Sequence, residues 1–520
     1  MRITITALLA LAFLLTHAQF KHVTLDKSGN PNEPSIAVHP KTKSIVSASN
    51  INNFYVKELG DTEYTKIKST SPLGVYGDPV LHYSDTCLFF AHLAKTPKKE
   101  YGDWFDRIVV QKITDPVNWI EKSYSVGYNA NKMQDKPWLC SDNHSARWKG
   151  NVYVTWTEFD TYDSDNLLDR SRIRFSKYMA SSDTFSAAIT LSDTTGDCLD
   201  SDNTLEGVTT AVGKKGEIYA VWAGYDAIWL DKSNDGGNTW GKDRRIAKQT
   251  GGWDMAMPHI MRANGMPFIA CDTVNDVQYV TWADEINGNA DVWLIYSKDQ
   301  GMTWSNRLNL SKDTTRAHQY FPNISINQNT GEVFVAYYDF AGSNEGIFYR
   351  VAISKVSLGK DLKVIYVTQN PIPLPGRAIF YGDYLDIDVQ DKLIATVYTA
   401  NDFNNATSIE MGFTVDYTKC IADNVNTTKN DVIAILDEAD SLALWVNSSE
   451  PTLVRYKIKV KSLDKLVCVK KGGGLYRAED YPKDSHIISI KKPEEDCKVK
   501  INVSTRRKFA LRKQKYKLTN

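Results

Sequence analysis

Beyond its first 18 residues the chain has no apolar run near the roughly 20 residues a membrane-spanning helix needs, so no helical span is expected. It has no C-x-x-C pair and no cysteine at ligand spacing from a histidine. The seven cysteines (Cys87, Cys140, Cys198, Cys271, Cys420, Cys468, Cys497) are scattered, which argues against a zinc site. Buried thiols are expected, with Cys468–Cys497 as the one candidate disulfide. No loop has calcium-ligand spacing either, so neither a metal nor another cofactor is expected. Net charge is also missing, with 62 Lys and Arg against 62 Asp and Glu.

That balance hides an asymmetry. Residues 451–520 carry 20 basic against 7 acidic residues, so an acidic body is followed by a basic end. A basic stretch of this kind suits an acidic glycan or a membrane surface. The amino terminus, Met1-Arg2 followed by an apolar core and Thr16-His17-Ala18, reads as a secretory signal peptide over residues 1–18. An exported chain is not expected to meet nucleic acid. Sequons at Asn143, Asn309, Asn323, Asn405, Asn426, Asn447 and Asn502 fit an extracellular glycoprotein. A monomer is expected.

What the sequence does contain is repetition. Ser233-Asn234-Asp235-Gly236-Gly237-Asn238-Thr239-Trp240 returns as Ser297-Lys298-Asp299-Gln300-Gly301-Met302-Thr303-Trp304, and both copies read S-x-D-x-G-x-T-W. Each follows an apolar run and precedes a short strand-like segment, as a hairpin turn would. The aspartate can accept hydrogen bonds from the turn's own N–H groups, the glycine permits positive φ, and the tryptophan supplies an apolar wedge. Asp115-Pro116-Val117-Asn118-Trp119 reads as a decayed copy.

A longer unit recurs around these turns. It starts with an acidic or polar residue, often followed by proline, and continues as a short strand, a turn and a second strand ending in an aromatic. The starts are Glu33-Pro34, Asp78-Pro79, Asp135-Lys136-Pro137, Glu206-Gly207, Gly265-Met266-Pro267, Tyr320-Phe321-Pro322 and Asp383-Tyr384. Repeats of this length with about four short strands per unit are the mark of an all-β propeller. Seven starts give seven blades, with six as the alternative. The last unit lacks a fourth strand, which Lys21–Leu25 could supply, closing the ring. The expected division is a propeller over 19–425, a small β-rich, sandwich-like domain over 426–505 and a flexible basic tail over 506–520.

The eight-residue turn resembles the Asp-box of the sialidase (BNR-repeat) superfamily, from whose catalytic members this chain diverges. In that family the box is structural and lies on the outer hairpins of the blades. The resemblance implies that Ser233, Asp235, Gly237, Thr239 and Trp240, and equally Ser297, Asp299, Gly301, Thr303 and Trp304, hold turns on the back of the ring. The front then receives the strand starts and the loops between blades. It also implies a secreted exo-sialidase-like glycoside hydrolase acting on terminal acidic sugars, with an arginine triad, a tyrosine nucleophile, its activating glutamate and an aspartate acid/base. On that reading Arg262, Arg316 and Arg377 hold the sugar carboxylate, accompanied by His318, Tyr320 and Asp383. Tyr381 or Tyr384 is the nucleophile with Glu206 as its base, and Asp78 or Asp135 is the acid/base. The family's first-blade Arg-Ile-Pro element is missing, its slot being Asn32-Glu33-Pro34-Ser35. That departure favours the alternative, a non-catalytic extracellular propeller binding glycan or protein ligands.

Overall fold

The computed structural model describes residues 20–414, apart from 59–62, 86, 97–104, 312, 314, 342–347, 360–361, 369–370, 375–377 and 403, together with the strands of a C-terminal region beyond residue 432. Two compact units meet at Val415 and Asp416, ten residues before the expected boundary at 425. The leader expected over 1–18 lies outside the described residues.

The first unit is an all-β ring of seven antiparallel sheets, the larger of the two blade numbers expected. The inner strands are Ser35–Val38, Val80–Ser84, Met133–Ser141, Glu206–Val212, Phe268–Asp272, Gln319–Asn327 and Asp386–Gln390, in blades 1 to 7. Every start read from the repeat therefore begins an inner strand or lies just before one. The second strands are rich in apolar residues because both their faces are covered: Val152–Phe159 and Ile218–Gly224 are buried at every residue. Trp156, Trp222 and Trp282, one blade apart in blades 3, 4 and 5, are fully buried between neighbouring blades.

Blade 7 is completed from the other end of the chain. Lys21–Asp26 pairs antiparallel with Thr407–Thr414, matching Lys21 with Phe413 and Val23 with Met411. Leu25 is buried with Ile36 of blade 1 and Ile409 of blade 7. The closing strand expected near residues 21–25 is thus present, and it removes two open sheet edges.

Both S-x-D-x-G-x-T-W turns join the third strand of a blade to its last, on the back. Asp235 Oδ1 accepts from Ser233 Oγ at 2.9 Å, Asn238 N at 3.0 Å and Thr239 N at 2.9 Å, and its other oxygen accepts from Thr239 Oγ1 at 2.7 Å. Asp299 repeats this with Ser297 Oγ at 2.8 Å, Thr303 N at 2.8 Å and Thr303 Oγ1 at 2.6 Å. Gly237 and Gly301 have φ of +77° and +80°, which explains the invariant glycine of the pattern. Trp240 packs edge-on against Phe175 of the preceding blade, 4.9 Å between ring centres. Asp115 accepts Val117 N and Asn118 N at 3.0 Å each, two and three residues on, so the decayed copy keeps an aspartate-capped turn but a tighter one. Asp235→Ala should cost about 1 kcal/mol in chemical denaturation and leave any front-face binding unchanged; altered binding would contradict a purely structural role.

The C-terminal unit contains a three-stranded and a four-stranded antiparallel sheet. Two expectations are corrected here. Residues 506–520 are not simply a flexible tail: one strand runs through Cys497–Arg507, and the next, Ala510–Leu518, pairs along it. A Cys468–Cys497 disulfide does not fit either. Cys468 and Cys497 pair with opposite edges of Thr452–Ser462. With a strand between them and partners two residues apart along it, Val460 and Ser462, their backbones are about 12 Å apart, beyond disulfide reach. Among described residues, Cys87, Cys140, Cys198 and Cys271 are free thiols.

Candidate functional site

In five of the seven blades the start of the inner strand carries a residue in the left-handed region. Glu33, Asp78, Lys136 and Phe321 have φ of 47°, 50°, 48° and 49°, and Gly207 has 66°. Glu33 and Asp78 stand just before their strands, while Lys136, Gly207 and Phe321 sit at register shifts near the start of theirs, and side chains from several blades meet at the front of the ring. Blade 1 contributes Glu33, blade 2 Asp78, blade 3 Asp135 and Lys136, blade 4 Glu206 and blade 7 Asp383. Loops add Tyr162, Asp200 and Arg262. Glycine is required at 382, where φ is +91° and a Cβ would strike the Glu33 backbone nitrogen at 2.7 Å.

Lys136 is the centre of this group, and only 3% of it is exposed. Its Nζ reaches Asp135 Oδ2 at 3.0 Å, Glu206 Oε1 at 2.9 Å and Asp383 Oδ2 at 3.5 Å. Burial works against its charge, but these carboxylates hold it protonated well above the ordinary lysine value. Arg262 is engaged on every nitrogen. Its Nε donates to Asp383 Oδ1 at 2.9 Å, one terminal nitrogen donates to Asp383 Oδ2, and the other donates to Asp200 Oδ2 at 3.1 Å.

Asp200 ties the cluster to the front rim. It accepts from Tyr162 Oη at 2.5 Å and from Trp253 Nε1 at 2.9 Å. Burial opposes its ionisation, yet Lys136, then hydrogen bonds with Glu206 and Tyr162 and the Arg262 charge, hold it well below the usual carboxylate range. Glu206 goes the other way, pushed well up by burial and then by Asp200 and Asp135 against the pull of Lys136. Its Oε2 is buried with no conventional donor. A proton on Glu206, shared with Asp200, satisfies both groups.

Asp78 differs from its neighbours. It is enclosed by other blades, which raises its carboxyl first by burial and then by repulsion from Glu33 and Asp135. The residue as a whole is nevertheless only partly buried. Its backbone N donates to Asn50 Oδ1, while its carboxyl has no hydrogen-bond partner among the described residues. Tyr76 and Tyr128, respectively 37% and 57% exposed, stand on the same front in blade 2, with Lys95 and Arg107 over their rings. Beneath the carboxylates Trp138 packs edge-on against Phe268 and Tyr384, and a cavity of about 240 Å³ follows between the inner strands. No group of His, Cys, Asp and Glu among the described residues is arranged to hold a metal.

The structure therefore gathers Asp78, Asp135, Glu206, Arg262 and Asp383 but distributes the other expected residues elsewhere. Arg316 is exposed in the loop before blade 6, with no ion pair among the described residues, and Arg377 lies outside them. Tyr381 is fully buried, its hydroxyl turned to Asn401 Oδ1 and Tyr349. Tyr320 belongs to the same apolar cluster, and burial pushes both phenols well up. Tyr384 lies under the carboxylates with its hydroxyl on Pro79 O at 3.3 Å. None of these phenols contacts Glu206, because the tyrosine cluster belongs to blades 6 and 7 and Glu206 is held by Lys136 of blade 3. His318 is half-buried and accepts Ala290 N at 3.2 Å. Lys136, Tyr162 and Asp200 were not picked out as site residues from sequence. Lys136 had a visible signal, a cation in the slot that Glu33 and Asp78 fill in their own blades.

No family model matches the chain, and no curated protein does. Among solved structures it is similar to a Dyadobacter fermentans protein of unknown function at 12% identity, covering 77% of this chain and 99% of that one, with a TM-score of 0.41. It is similar to Trypanosoma rangeli sialidase at 8% identity, with coverage of 95% and 89% and a TM-score of 0.40. It is also similar to the phage phi92 endosialidase at 8% identity, with coverage of 81% and 73% and a TM-score of 0.44.

Proposed function

We propose that the protein is an extracellular glycan-binding propeller whose front basin receives a neutral or amine-bearing sugar rather than an acidic one. The observation that carries this is the saturation of both axial cations, Lys136 and Arg262, by carboxylates of the chain itself. A sugar carboxylate entering here would find no free guanidinium fork and would face carboxylates already crowded enough to retain protons. Sugar hydroxyls or an ammonium group fit the unpartnered Asp78 carboxyl, and the exposed rings of Tyr76 and Tyr128 suit the apolar faces of a pyranose.

One observation favours a second reading, glycoside hydrolysis. A carboxyl at the front whose protonated form is favoured by burial and by neighbouring carboxylates is what a general acid requires, and Asp78 is such a group. A single set of measurements separates the two. The full chain is screened on an array of neutral, amine-bearing and sialylated glycans, then assayed with aryl glycosides of the sugars retained. The binding reading expects retention without turnover and an affinity about tenfold weaker in Asp78→Asn. Turnover abolished by Asp78→Asn with binding preserved would establish the hydrolase instead. No retention of any glycan by folded protein would overturn both.

A further inference from the structure

The four-stranded sheet of the C-terminal unit has strands in the order Lys465–Tyr476, Thr452–Ser462, Cys497–Arg507 and Ala510–Leu518. In antiparallel pairing, residues directly opposite one another share a face, and the face changes with each step along the strand. The register therefore sorts this basic segment into two unlike faces.

One row across the sheet reads Lys471, Lys457, Asn502, Lys515. Two residues on, the row is Val469, Lys459, Lys500, Lys517, and the next pairs Lys461 with Lys498. On the other side of the first row Arg455 stands opposite Ser504, and Ser504 opposite Lys513. No acidic residue falls in any of these rows. The intervening rows are mostly apolar: Ile458, Ile501 and Tyr516 in one, Val460, Val499 and Leu518 in the next. Like charges directly opposite one another are unfavourable in a sheet, and so many uncompensated cations cannot be buried.

We propose that this lysine face is a docking surface for a linear polyanionic polysaccharide, of the class bearing sulfate and uronate groups. Cations recur about every 7 Å along a strand and about 5 Å across strands, a lattice on which a flexible polyanion can exchange many small counter-ions at once. The face carries no aromatic residue to stack on bases, since Tyr456 and Tyr516 fall in the alternate rows, which disfavours single-stranded nucleic acid. Against a bilayer its lysine rows supply charge, one of the two signals that lasting membrane attachment needs, while Leu453, Leu475 and Leu511 of the same face fall in one row at its end. The expected amino-terminal leader would send the chain where sulfated polysaccharides are abundant. The inference is independent of what the front of the propeller binds.

The test uses the full chain, expressed without N-glycans because the Asn502 sequon lies on this face, with heparin as probe. Wild-type protein should bind immobilised heparin with an affinity that falls steeply with salt. The variant Lys457→Thr, Lys459→Thr and Lys500→Thr keeps strand-compatible residues and should bind roughly 10- to 100-fold more weakly at about 0.15 M salt, with a shallower salt dependence. Lys470→Thr with Arg512→Thr, which alters cations of the alternate rows, should bind as wild type. Equal heparin affinity in the triple variant, or equal loss in the Lys470/Arg512 variant, would overturn the assignment to this face. Equal or tighter binding of wild type to duplex DNA or phosphatidylserine vesicles would overturn the choice of polysaccharide.

Discussion

Lys136→Met lowers the stability of the propeller by about 3–5 kcal/mol, the largest loss expected from a single substitution here. Methionine keeps the length of the side chain, so packing changes little. What is lost is the positive charge that reaches all three of Asp135, Glu206 and Asp383, carboxylates contributed by blades 3, 4 and 7, of which Asp383 alone keeps Arg262. Without it these groups are buried next to one another and must either repel or take up protons. Proton uptake fixes the pH dependence. A carboxyl whose folded value is raised contributes stability that is present below its unfolded value and lost as pH rises through the folded one. Glu33 already behaves so in the native cluster: burial, then Asp383, raise it from 4.5 to about 7. Its contribution to wild-type stability therefore fades as pH rises across that window, and the variant should fade more steeply. Urea denaturation at about pH 5 and about pH 8 checks this, with the larger deficit at the higher pH. An equal deficit at both would mean that Lys136 does not serve to neutralise the carboxylates.

Deleting residues 20–26 should remove cooperative folding of the ring. The lost strand contributes Phe20 and Leu25, 3% and 2% exposed, and the pairing partners of Thr407–Thr414. Two large apolar side chains at about 2–5 kcal/mol each approach the whole stability of a typical domain. The deletion also leaves an exposed edge on blade 7, a template for aggregation. Circular dichroism melting with light scattering would show it. A deletion variant that melts as a monomer within a few degrees of wild type would mean that the ring does not depend on this closure.

The blade count and the closing strand were legible in sequence because both depend on local pattern: proline or an acid before an apolar run, and a blade left one strand short. The turns at Asp235 and Asp299 were legible for the same reason, since every hydrogen-bond partner lies within four residues. The basin was legible only in part. Asp78, Asp135, Glu206 and Asp383 could be placed on one face from the repeat, but not the charge state that their crowding imposes. Glu206 is 70 residues from Lys136, and Arg262 is 121 from Asp383. Which acid pairs with which base depends on side chains meeting across the axis. Tyr162 and Asp200 sit in loops that follow no repeat. Tyr381 was assigned to the front by its loop, whereas the apolar contacts of Tyr338 and Tyr349 draw it into the core between blades 6 and 7.

The most direct test is a pair of calorimetric titrations at neutral pH with two oligosaccharides that differ only in a terminal sialic acid. Because Arg262 and Lys136 are saturated by the chain's own carboxylates, the neutral oligosaccharide should bind and the sialylated one should bind more weakly or not at all. Tighter binding of the sialylated ligand, with the advantage lost in Arg262→Ala, would contradict the account.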